Sequence, residues 1–438
     1  MQDNHTIKPN GWALIPLLIF VSVFLGTGVL LNDFYALPAP IAVLVGLFAA
    51  FIALKGGTQQ KIATFLQGCG ESRIMTMCII FLLAGAFATV TKTMGGVDAV
   101  VQLGMQFISV KYLPIGIFII TAFLSLATGT SVGAIVAMGP IVVGLADQSG
   151  VSLALLCGML LSGAMFGDNL SIISDTTIAA TQSFGVKMGE KFKVNTLIAL
   201  PAFLITIILL LFFLPDAQMA TQVSPETPVS VIKIIPYLLV VGLAVSGINV
   251  FYTLFTGIIA AGVIGLAYGD FGLLTFAQEI YQGFTGMINI FLLAMLTGGL
   301  AAMVRKAGGI AFVMQMVSQQ IRSIKSAQTG MGFLTGLTNT AIANNTVSII
   351  ITGTIAKNIN DSYQLDPRKS ATILDNFVCV VQGILPYGAQ MLLILNFSQG
   401  NTDYISVLEH AWYLFALLGM TLISIYTPLW DKLIAKIK

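Results

Sequence analysis

The sequence predicts an all-α polytopic membrane protein made of two inverted-topology repeats with broken or re-entrant helices. Three observations predict this fold. Of 438 residues, 57% are hydrophobic and only 9% are charged, and the mean hydropathy of +0.94 is too high for a soluble protein of this length. Apolar runs of about 18 to 22 residues recur along the chain, which is the length that crosses a bilayer. Segments of the two halves also resemble one another.

The longest polar stretch, "PDAQMATQVSPETPV" at 215–229, divides the chain near its midpoint. Its Pro and Thr content is typical of an exposed connection between two structural units. We therefore expect a first transmembrane repeat over 1–214, an extracytoplasmic linker over 215–229, and a second, inverted repeat over 230–438.

Internal similarity supports this division. "GAFATVTKTMGGV" (85–97) matches "GGLAAMVRKAGGI" (298–310) at one constant offset. More loosely, "ATGTS" (127–131) matches "LTNTA" (337–341), and the "GDN" that ends at Asn169 matches the "LDN" that ends at Asn376. Chance matches in a chain with 44 glycines are the alternative, but the three matches keep the same order in both halves. Matches that keep their order along both halves indicate a repeat.

Basic residues predict the orientation, because short cytoplasmic loops are enriched in Lys and Arg. This rule assigns several short loops and the C-terminal tail to the cytoplasm. Their basic residues are Lys55, Lys61, Arg73, Lys187, Lys191, Lys193, Arg305, Lys306, Arg322, Lys325, Lys357, Arg368, Lys369, Lys432, Lys436 and Lys438. Both termini are then cytoplasmic in a bacterial-type inner membrane, and parity leaves Lys92 and Lys111 outside as exceptions. Lys92 follows a span that leaves the cytoplasm and Arg305 one that enters it, so the matched segments run in opposite directions.

Two apolar runs are interrupted by small polar residues, "LATGTSVGAI" and "GLTNTAIANNTV". Such residues release backbone carbonyls from the helical ladder or bond to them, and the freed oxygens can ligate Na⁺. The candidate ligands are Thr128, Thr130, Ser131, Thr338, Asn339, Thr340, Asn344, Asn345 and Thr346. The alternative is that these residues only allow close helix packing.

Three carboxylates, Asp168, Asp175 and Asp375, lie in or against segments at membrane depth. A buried carboxylate is energetically unfavourable in a bilayer and marks an ion or proton path. A carboxylate that holds either a proton or Na⁺ is sufficient for antiport. We expect no Lys or Arg at mid-depth, so that positive potential for an anionic cargo would have to come from a half-helix N-terminus.

Other classes of function are disfavoured. The four cysteines form no CxxC pair, and no nucleophile motif, phosphate loop or His-based metal cluster is present in the sequence, so neither an enzyme nor a cofactor is expected. The net charge of +2 comes without the basic, aromatic clusters of a nucleic-acid groove. A passive channel fits broken helices in inverted repeats less well than alternating access does.

The segments "GDNLSIISDTTIAAT" (167–181) and "LDNFVCVVQGILPYGAQ" (374–390) resemble those of NhaC-type sodium/proton antiporters, and the likeness extends over most of the chain. It implies the ion-transporter superfamily fold, a homodimer in the lipid bilayer, and Na⁺ and H⁺ as partners. It also implies a cation and proton site formed by Asp168, Asn169, Ser171, Ser174, Asp175, Thr176, Asp375 and Asn376.

The first hypothesis is therefore a Na⁺/H⁺ antiporter in which Asp168 and Asp175 carry the cation and the proton. The alternative is a Na⁺-coupled transporter or exchanger of a small carboxylate or amino acid, since members of related families carry such cargo. In that case "TNTAIANN" (338–345) and "LPYGAQ" (385–390) would hold the cargo, with possible contacts from Gln382, Pro386 and Gln390. We expect the first half to exchange proton and cation and the second half to select any larger cargo.

Overall fold

The structure, a computed structural model, describes residues 8–31, 37–213 and 230–436. The predicted linker 215–229 lies outside these ranges. Within them every regular element is helical. Nine helices of this described part are long and apolar enough to cross a membrane, and a tenth is obtained if two helices bent by 86° at residue 427 form one span. The chain is an all-helical, multi-pass membrane protein.

The first half begins with a 3₁₀ turn, Gly11–Leu14, and continues with ten helices. These are α1 (Ile15–Leu31), α2 (Ala39–Ala53), α3 (Thr58–Cys69), α4 (Ser72–Thr93), α5 (Gly96–Phe107), α6 (Leu113–Thr128), α7 (Ser131–Ser149), α8 (Leu153–Leu170), α9 (Asp175–Phe184) and α10 (Met188–Phe212).

The second half begins with a similar 3₁₀ turn, Val231–Ile234, and follows the same order of elements with one extra short helix, α20, and a C-terminal α22. Its helices are α11 (Ile235–Val245), α12 (Val250–Tyr268), α13 (Leu273–Gly286), α14 (Ile288–Lys306), α15 (Gly309–Gln319), α16 (Ile324–Ile342), α17 (Asn345–Ser362), α18 (Pro367–Ile384), α19 (Ala389–Phe397), α20 (Tyr404–Glu409), α21 (Trp412–Tyr426) and α22 (Pro428–Ile434).

Local landmarks recur in both halves at nearly constant spacing. Gly95 and Gly308 adopt left-handed backbone, with φ of 75° and 90°, where α4 turns into α5 and α14 into α15. Thr130 and Asn344 cap α7 and α17 by accepting a hydrogen bond from the backbone N–H three residues on. The first pair lies 213 positions apart and the second pair 214, which agrees with the sequence match of 85–97 to 298–310.

The two looser sequence matches were misaligned. Helix ends place 127–131 opposite 341–345 instead of 337–341, and Asp168 opposite Gln382 instead of Asp375. The errors are four and seven residues, close to one and two helical turns, so the mismatched residues still lie on the same helix face. The periodicity of a helix face alone therefore could not determine which residues of the two halves are equivalent.

Equivalent helices pack reciprocally across the two halves. α3 contacts α14 and α13 contacts α4, while α9 contacts α17 and α19 contacts α7. At the centre, α8 and α18 meet with opposite directions: the Met165 carbonyl accepts from Cys379 Sγ at 3.5 Å, and Asn169 Nδ2 donates to Asn376 Oδ1 at 2.9 Å. Equivalent helices that cross antiparallel show that the two repeats have inverted topology.

Glycines allow the closest of these crossings. A Cβ on Gly85 would lie 2.2 Å from the Gly283 carbonyl oxygen, and one on Gly68 would lie 2.6 Å from that of Gly298. Gly68 and Gly298 occupy in α3 and α14 the positions that Gly283 and Gly85 occupy in α13 and α4. The same backbone-to-backbone contact is therefore made twice, once by each half.

Four helix breaks lie in the two repeats, at 129–130, 171–174, 343–344 and 385–388. The last one interrupts the apolar run over 370–395, since α18 ends at Ile384 and α19 begins at Ala389. Pro386 explains the break, because proline lacks a backbone N–H and restricts the preceding residue to extended conformations. The equivalent break after α8 has no proline and instead begins α9 with a capping serine, Ser174.

Candidate functional site

Asp168 lies near the C-terminal end of α8, where the helix breaks, and is 7% exposed. Two serine hydroxyls donate to its carboxylate, Ser131 Oγ to Oδ2 at 2.7 Å and Ser174 Oγ to Oδ1 at 2.6 Å. Ser131 is the first residue of α7 and Ser174 is the N-cap of α9. The carboxylate is thus held between two helix N-termini, whose partial positive charge stabilises an anion.

A row of hydrogen bonds connects Asp168 to the second half. Asn339 Nδ2 donates to Gln382 Oε1 at 3.1 Å, Gln382 Nε2 donates to Gln390 Oε1 at 3.0 Å, and Gln390 Nε2 donates to Ser131 Oγ at 2.9 Å. All four residues are at most 3% exposed. The row joins the breaks of both repeats, because Gln382 and Gln390 flank the 385–388 break.

A cavity of about 360 Å³ opens onto Asp168. We call it the carboxylate cavity. It brings together eleven of the residues that the sequence predicted: Thr128, Thr130, Ser131, Asp168, Ser174, Asp175, Thr176, Asn344, Asn345, Thr346 and Gln390. The polar breaks at 129–130, 171–174 and 343–344 therefore converge on one space, as their composition indicated.

Asp175 is exposed and lies at the first position of α9, on the wall of the same cavity. Its neighbour Thr176 is buried, and its Oγ1 lies 2.9 Å from Ser174 Oγ. Two carboxylates thus face the cavity, one buried and one accessible.

The remaining predicted acid, Asp375, lies in a separate polar cluster. Its side chain is fully buried and forms an ion pair with Lys191 of α10, which is 1% exposed. Lys191 Nζ also donates to the Asn169 carbonyl at 3.0 Å and to Thr177 Oγ1 at 2.9 Å. Asn169 Nδ2 donates to Asn376 Oδ1, and Asn376 Nδ2 donates to Thr421 Oγ1 at 3.0 Å. This cluster joins α8, α9 and α10 to α18 and α21.

The structure differs from the charge pattern at two lysines. Lys191 and Lys369 were assigned to cytoplasmic loops, but both are buried residues of membrane-spanning segments, and Lys369 pairs with Asp431 at 2.7 Å. Hydropathy missed Lys191 because the long apolar run of α10 starts just after it. The sequence did contain one signal for its burial: Asn195 follows Lys191 by four residues, and residues i and i+4 share a helix face. In the structure both side chains donate to the Asn169 carbonyl.

The two buried acids thus differ in their chemistry. Asp375 has a fixed cationic partner, so its charge is compensated within the protein. Asp168 has only neutral hydrogen-bond donors and faces a cavity. A carboxylate without a cationic partner in the protein can take its compensating charge from a proton or a metal cation.

Several predicted ligands lie elsewhere. Ser171 Oγ donates to the Leu126 carbonyl at 2.8 Å, and Thr340 Oγ1 donates to the Gly336 carbonyl at 3.2 Å. The hydroxyl of Thr338 is buried without a hydrogen-bond partner, and Pro386 lines a separate, largely apolar pocket. The structure does not bring these four residues to the carboxylate cavity.

A second cavity of about 350 Å³ lies at the other end of α4 and α7. α7 lines the carboxylate cavity from Ser131 to Gly133 and the second cavity from Pro140 onward. The seven-residue step from Gly133 to Pro140 corresponds to a rise of about 10 Å along the helix. Lys92, Asp98 and Asp147 line this second cavity. It lies at the end of α4 that parity assigns to the outside, since Lys92 is in the last turn of that helix.

Comparison with known proteins gives a match to one family over nearly the whole chain. The sequence model of the Na⁺/H⁺ antiporter family matches residues 10–214 and 218–430. The two matched segments meet at the predicted linker.

Three curated relatives have low sequence identity to this chain but align with most of its length. The malate-2H⁺/Na⁺-lactate antiporter of Bacillus subtilis is 24% identical, with 94% of each chain covered. The Na⁺/H⁺ antiporter NhaC of Bacillus subtilis is 24% identical over 73% of this chain and 76% of its own, and the arginine/ornithine antiporter ArcD of Halobacterium salinarum is 23% identical over 86% and 84%. Among solved structures, that of the YdaH transporter of Alcanivorax borkumensis aligns with a TM-score of 0.41 and 12% identity, covering 97% of this chain and 99% of that one.

Proposed function

Because the chain belongs to the Na⁺/H⁺ antiporter family, we propose that this secondary transporter exchanges Na⁺ for H⁺ at Asp168 by alternating access. One observation carries the proposal: Asp168 is a buried carboxylate that faces a cavity and is bonded only by neutral donors. The family's printed description and the name of its Bacillus subtilis relative NhaC support Na⁺ and H⁺ as the exchanged ions.

The donors around Asp168 suit both ions. When Asp168 is ionised and no cation is bound, the Ser131 and Ser174 hydroxyls donate to it. Each hydroxyl keeps lone pairs and rotates about its C–O bond, so that Ser131, Ser174 and Thr176 can present oxygens to a Na⁺ held by the carboxylate. A proton on Asp168 removes the charge that attracts Na⁺. The two ions therefore compete for one group, and this competition produces exchange.

The two cavities support alternating access. Of these two cavities, the carboxylate cavity is the one that Asp168 lines, and about 10 Å of helix α7 separates it from the second cavity. The charge pattern assigns the loop that carries Arg73, at the carboxylate cavity, to the cytoplasm, and parity assigns Lys92, at the second cavity, to the outside. On this assignment the structure is open to the cytoplasm, with both termini on that side of a bacterial inner membrane. Inverted repeats provide the opposite state when the two halves exchange conformations.

We assign Asp175 to cation attraction at the cavity wall. It is exposed, so its charge is hydrated and a single ion does not have to compensate it. An accessible carboxylate next to a binding group raises the local cation concentration, and salt screens this effect.

The test uses purified protein in liposomes with an imposed pH gradient, acid inside, read by a fluorescent pH probe. Addition of Na⁺ outside collapses the gradient in the wild type. D168N removes the exchanging charge and abolishes the response. The matched control is D361N, which changes an exposed aspartate at the end of α17. Its carboxylate pairs with Lys357 and accepts from Asn360 Nδ2, both on its own helix, and the variant responds like the wild type.

Two results would overturn the proposal. The first is a wild-type protein, inserted and monodisperse, that leaves the gradient unchanged over a range of Na⁺ concentrations. The second is a D168N variant whose Na⁺ response has the same amplitude and the same pH dependence as that of the wild type.

A further inference from the structure

A pocket of about 160 Å³ lies where the C-terminal ends of α2 and α14 meet the first two turns of α3. We call it the lysine pocket. Its wall includes Lys55, Lys61 and Lys306, and no Asp or Glu among the described residues. None of the three lysines forms an ion pair with a carboxylate in the part of the chain that the structure describes. The pocket therefore concentrates three positive charges that no acid of its wall balances.

Two of these lysines are held in place by neutral acceptors. Lys61 Nζ donates to the Phe51 carbonyl in the last turn of α2 at 2.7 Å, and Lys306 Nζ donates to Thr64 Oγ1 of α3 at 2.9 Å. Thr64 is buried, and its own hydroxyl donates to the Gln60 carbonyl at 2.8 Å. An ammonium group has three donors. Each of these contacts uses one of them and leaves two for a ligand.

The equivalent corner of the second half is filled with aromatic rings. α2 and α12 end 215 positions apart, and α3 and α13 begin 215 positions apart. Phe276 therefore stands where the first half has Lys61, and Phe271 stands where it has Gly56. The two rings stack with their centroids 5.8 Å apart. The repeat thus places packed aromatic side chains in one half where the other half has the lysine pocket.

The two corners also differ in charge. Val90 and Met94 of α4 form one apolar cluster with the stacked rings. Asp270 stands at the position of Lys55 and pairs with Lys233, so its charge is balanced. One corner of the repeat is therefore packed and neutralised, whereas its counterpart keeps a cavity and unbalanced positive charge. A cavity and unbalanced positive charge at the same place favour an anionic ligand.

The helices beside the lysine pocket expose apolar side chains. On α2 these are Phe48 and Ile52, which are 70% and 69% exposed, and on α3 they are Ile62 and Leu66. In a membrane protein such side chains face lipid. The charge pattern assigns the loop between α2 and α3 to the cytoplasm, where the bilayer surface carries anionic lipids that basic pockets between helices attract. A phospholipid can use both features, whereas a free anion can use only the lysines.

We propose that the lysine pocket binds the phosphate group of an anionic phospholipid of the cytoplasmic leaflet, with the acyl chains along α2 and α3. Lysine binds phosphate as a point charge, and three lysines surround one group here. The pocket joins the α2–α3 region of the first half to α14 of the second half, so that the lipid would bridge the two repeats. This site is independent of the proposed Na⁺ site, because the lysine pocket and the carboxylate cavity share no lining residue.

The experiment measures thermal unfolding midpoints of the full chain in detergent during titration with dioleoylphosphatidylglycerol. Dioleoylphosphatidylcholine is the lipid without net charge, and potassium phosphate at the same concentrations is the free anion. Phosphatidylglycerol raises the midpoint of the wild type at concentrations at which the other two have no effect. In K55Q/K61Q/K306Q the apparent affinity for phosphatidylglycerol is about 100-fold weaker, since each lysine near an anionic surface contributes a factor of roughly five.

Two further variants make the test specific. K187Q/K325Q/K357Q removes the same amount of charge from three exposed lysines elsewhere on the assigned cytoplasmic side, and it responds to phosphatidylglycerol like the wild type. K61F places in the pocket the ring that Phe276 provides in the other half. This variant folds without lipid, and its midpoint no longer responds to phosphatidylglycerol.

Four results would overturn the proposal. The first is equal stabilisation of the wild type by phosphatidylglycerol and phosphatidylcholine. The second is a K55Q/K61Q/K306Q variant that keeps the wild-type affinity for phosphatidylglycerol. The third is stabilisation of the wild type by free phosphate at the concentrations that suffice for the lipid, which would overturn the assignment to a lipid. If the triple variant is too unstable to purify, K61F decides, and a folded K61F with the wild-type lipid response is the fourth result.

Discussion

The two halves share one architecture, but at one pair of equivalent positions the first half has a carboxylate and the second half an amide. Asp168 of α8 and Gln382 of α18 lie two residues before the ends of equivalent helices. Asp168 accepts from two hydroxyls and faces a cavity, whereas Gln382 lies between Asn339 and Gln390 in a row of amides. The repeat provides two similar scaffolds, and the carboxylate is present in one of them. We infer a single exchanging site in the chain.

The largest effect is expected when this difference is removed. D168Q gives the first half the amide of the second, and we expect Na⁺-dependent proton exchange to fall to the level of protein-free liposomes. Q382A instead shortens the amide row but leaves the Ser131 and Ser174 contacts of Asp168 in place. We therefore expect Q382A to reduce exchange by about tenfold, the effect of about one hydrogen bond. Equal activity of D168Q and the wild type in the pH-gradient assay would show that the halves are equivalent after all.

The second comparison concerns the two buried lysines. K191M leaves Asp375 fully buried without its cation, which should destabilise the protein by about 3 to 5 kcal/mol. K369M should destabilise less, because its partner Asp431 is 59% exposed and can be hydrated. Unfolding midpoints of both variants in detergent measure the difference. The double variant K191M/D375L should recover much of the loss, since it removes both charges together, and a double variant less stable than K191M would show that the pair itself is not responsible.

The third prediction uses the reciprocal glycine crossings. In G283A and G68A the new methyl group collides with backbone of α4 and α14, and we expect losses of about 1 to 3 kcal/mol in both. Gly242 of α11 has open space where its Cβ would be, so that G242A should be neutral or stabilising by up to about 1 kcal/mol. Thermal unfolding of the three variants tests whether the two crossings are equivalent. A stable G68A beside an unstable G283A would show that only the contact of α13 with α4 is constrained.

The smallest effect is expected at the breaks that precede α7 and α17. Gly129 has φ of 67°, and its counterpart Ala343 has φ of 53°, a left-handed conformation that is unfavourable for alanine. A343G should therefore stabilise the protein by up to about 1 kcal/mol, whereas G129A should destabilise it by about 1 to 2 kcal/mol. The added methyl of G129A would also lie 2.9 Å from the Ile173 side chain. Opposite signs in the two melting curves are the expected result, and a destabilised A343G would contradict the assigned strain.

Composition and spacing predicted the helical membrane fold, the two halves and the polar breaks, because the bilayer imposes length and polarity on every span. They also identified eleven of the residues around the carboxylate cavity. The register of the second half was predicted wrongly by one and two helical turns. Short motifs such as "GDN" repeat on one helix face, and only the helix ends distinguish equivalent positions.

Charge pairing was the part that the sequence could not predict. Lys191 and Asp375 lie 184 positions apart, and their contact depends on how α10 packs against α18. A single sequence records the charge of each residue but not which helix will lie opposite it.

The row of hydrogen bonds that ends at Asp168 has a direction. From Asn339 through Gln382, Gln390 and Ser131, each side chain donates to the next, so the dipoles are aligned and all point toward the carboxylate. Aligned donors polarise one another, and the anion at the end is the acceptor that keeps them aligned. Loss of that anion to a proton removes the reason for the common orientation, and the change extends from one half to the other. The protonation state of Asp168 should thus change the hydrogen bonding of the side-chain amides in the opposite repeat. Vibrational spectroscopy of isotope-labelled glutamine can detect that change.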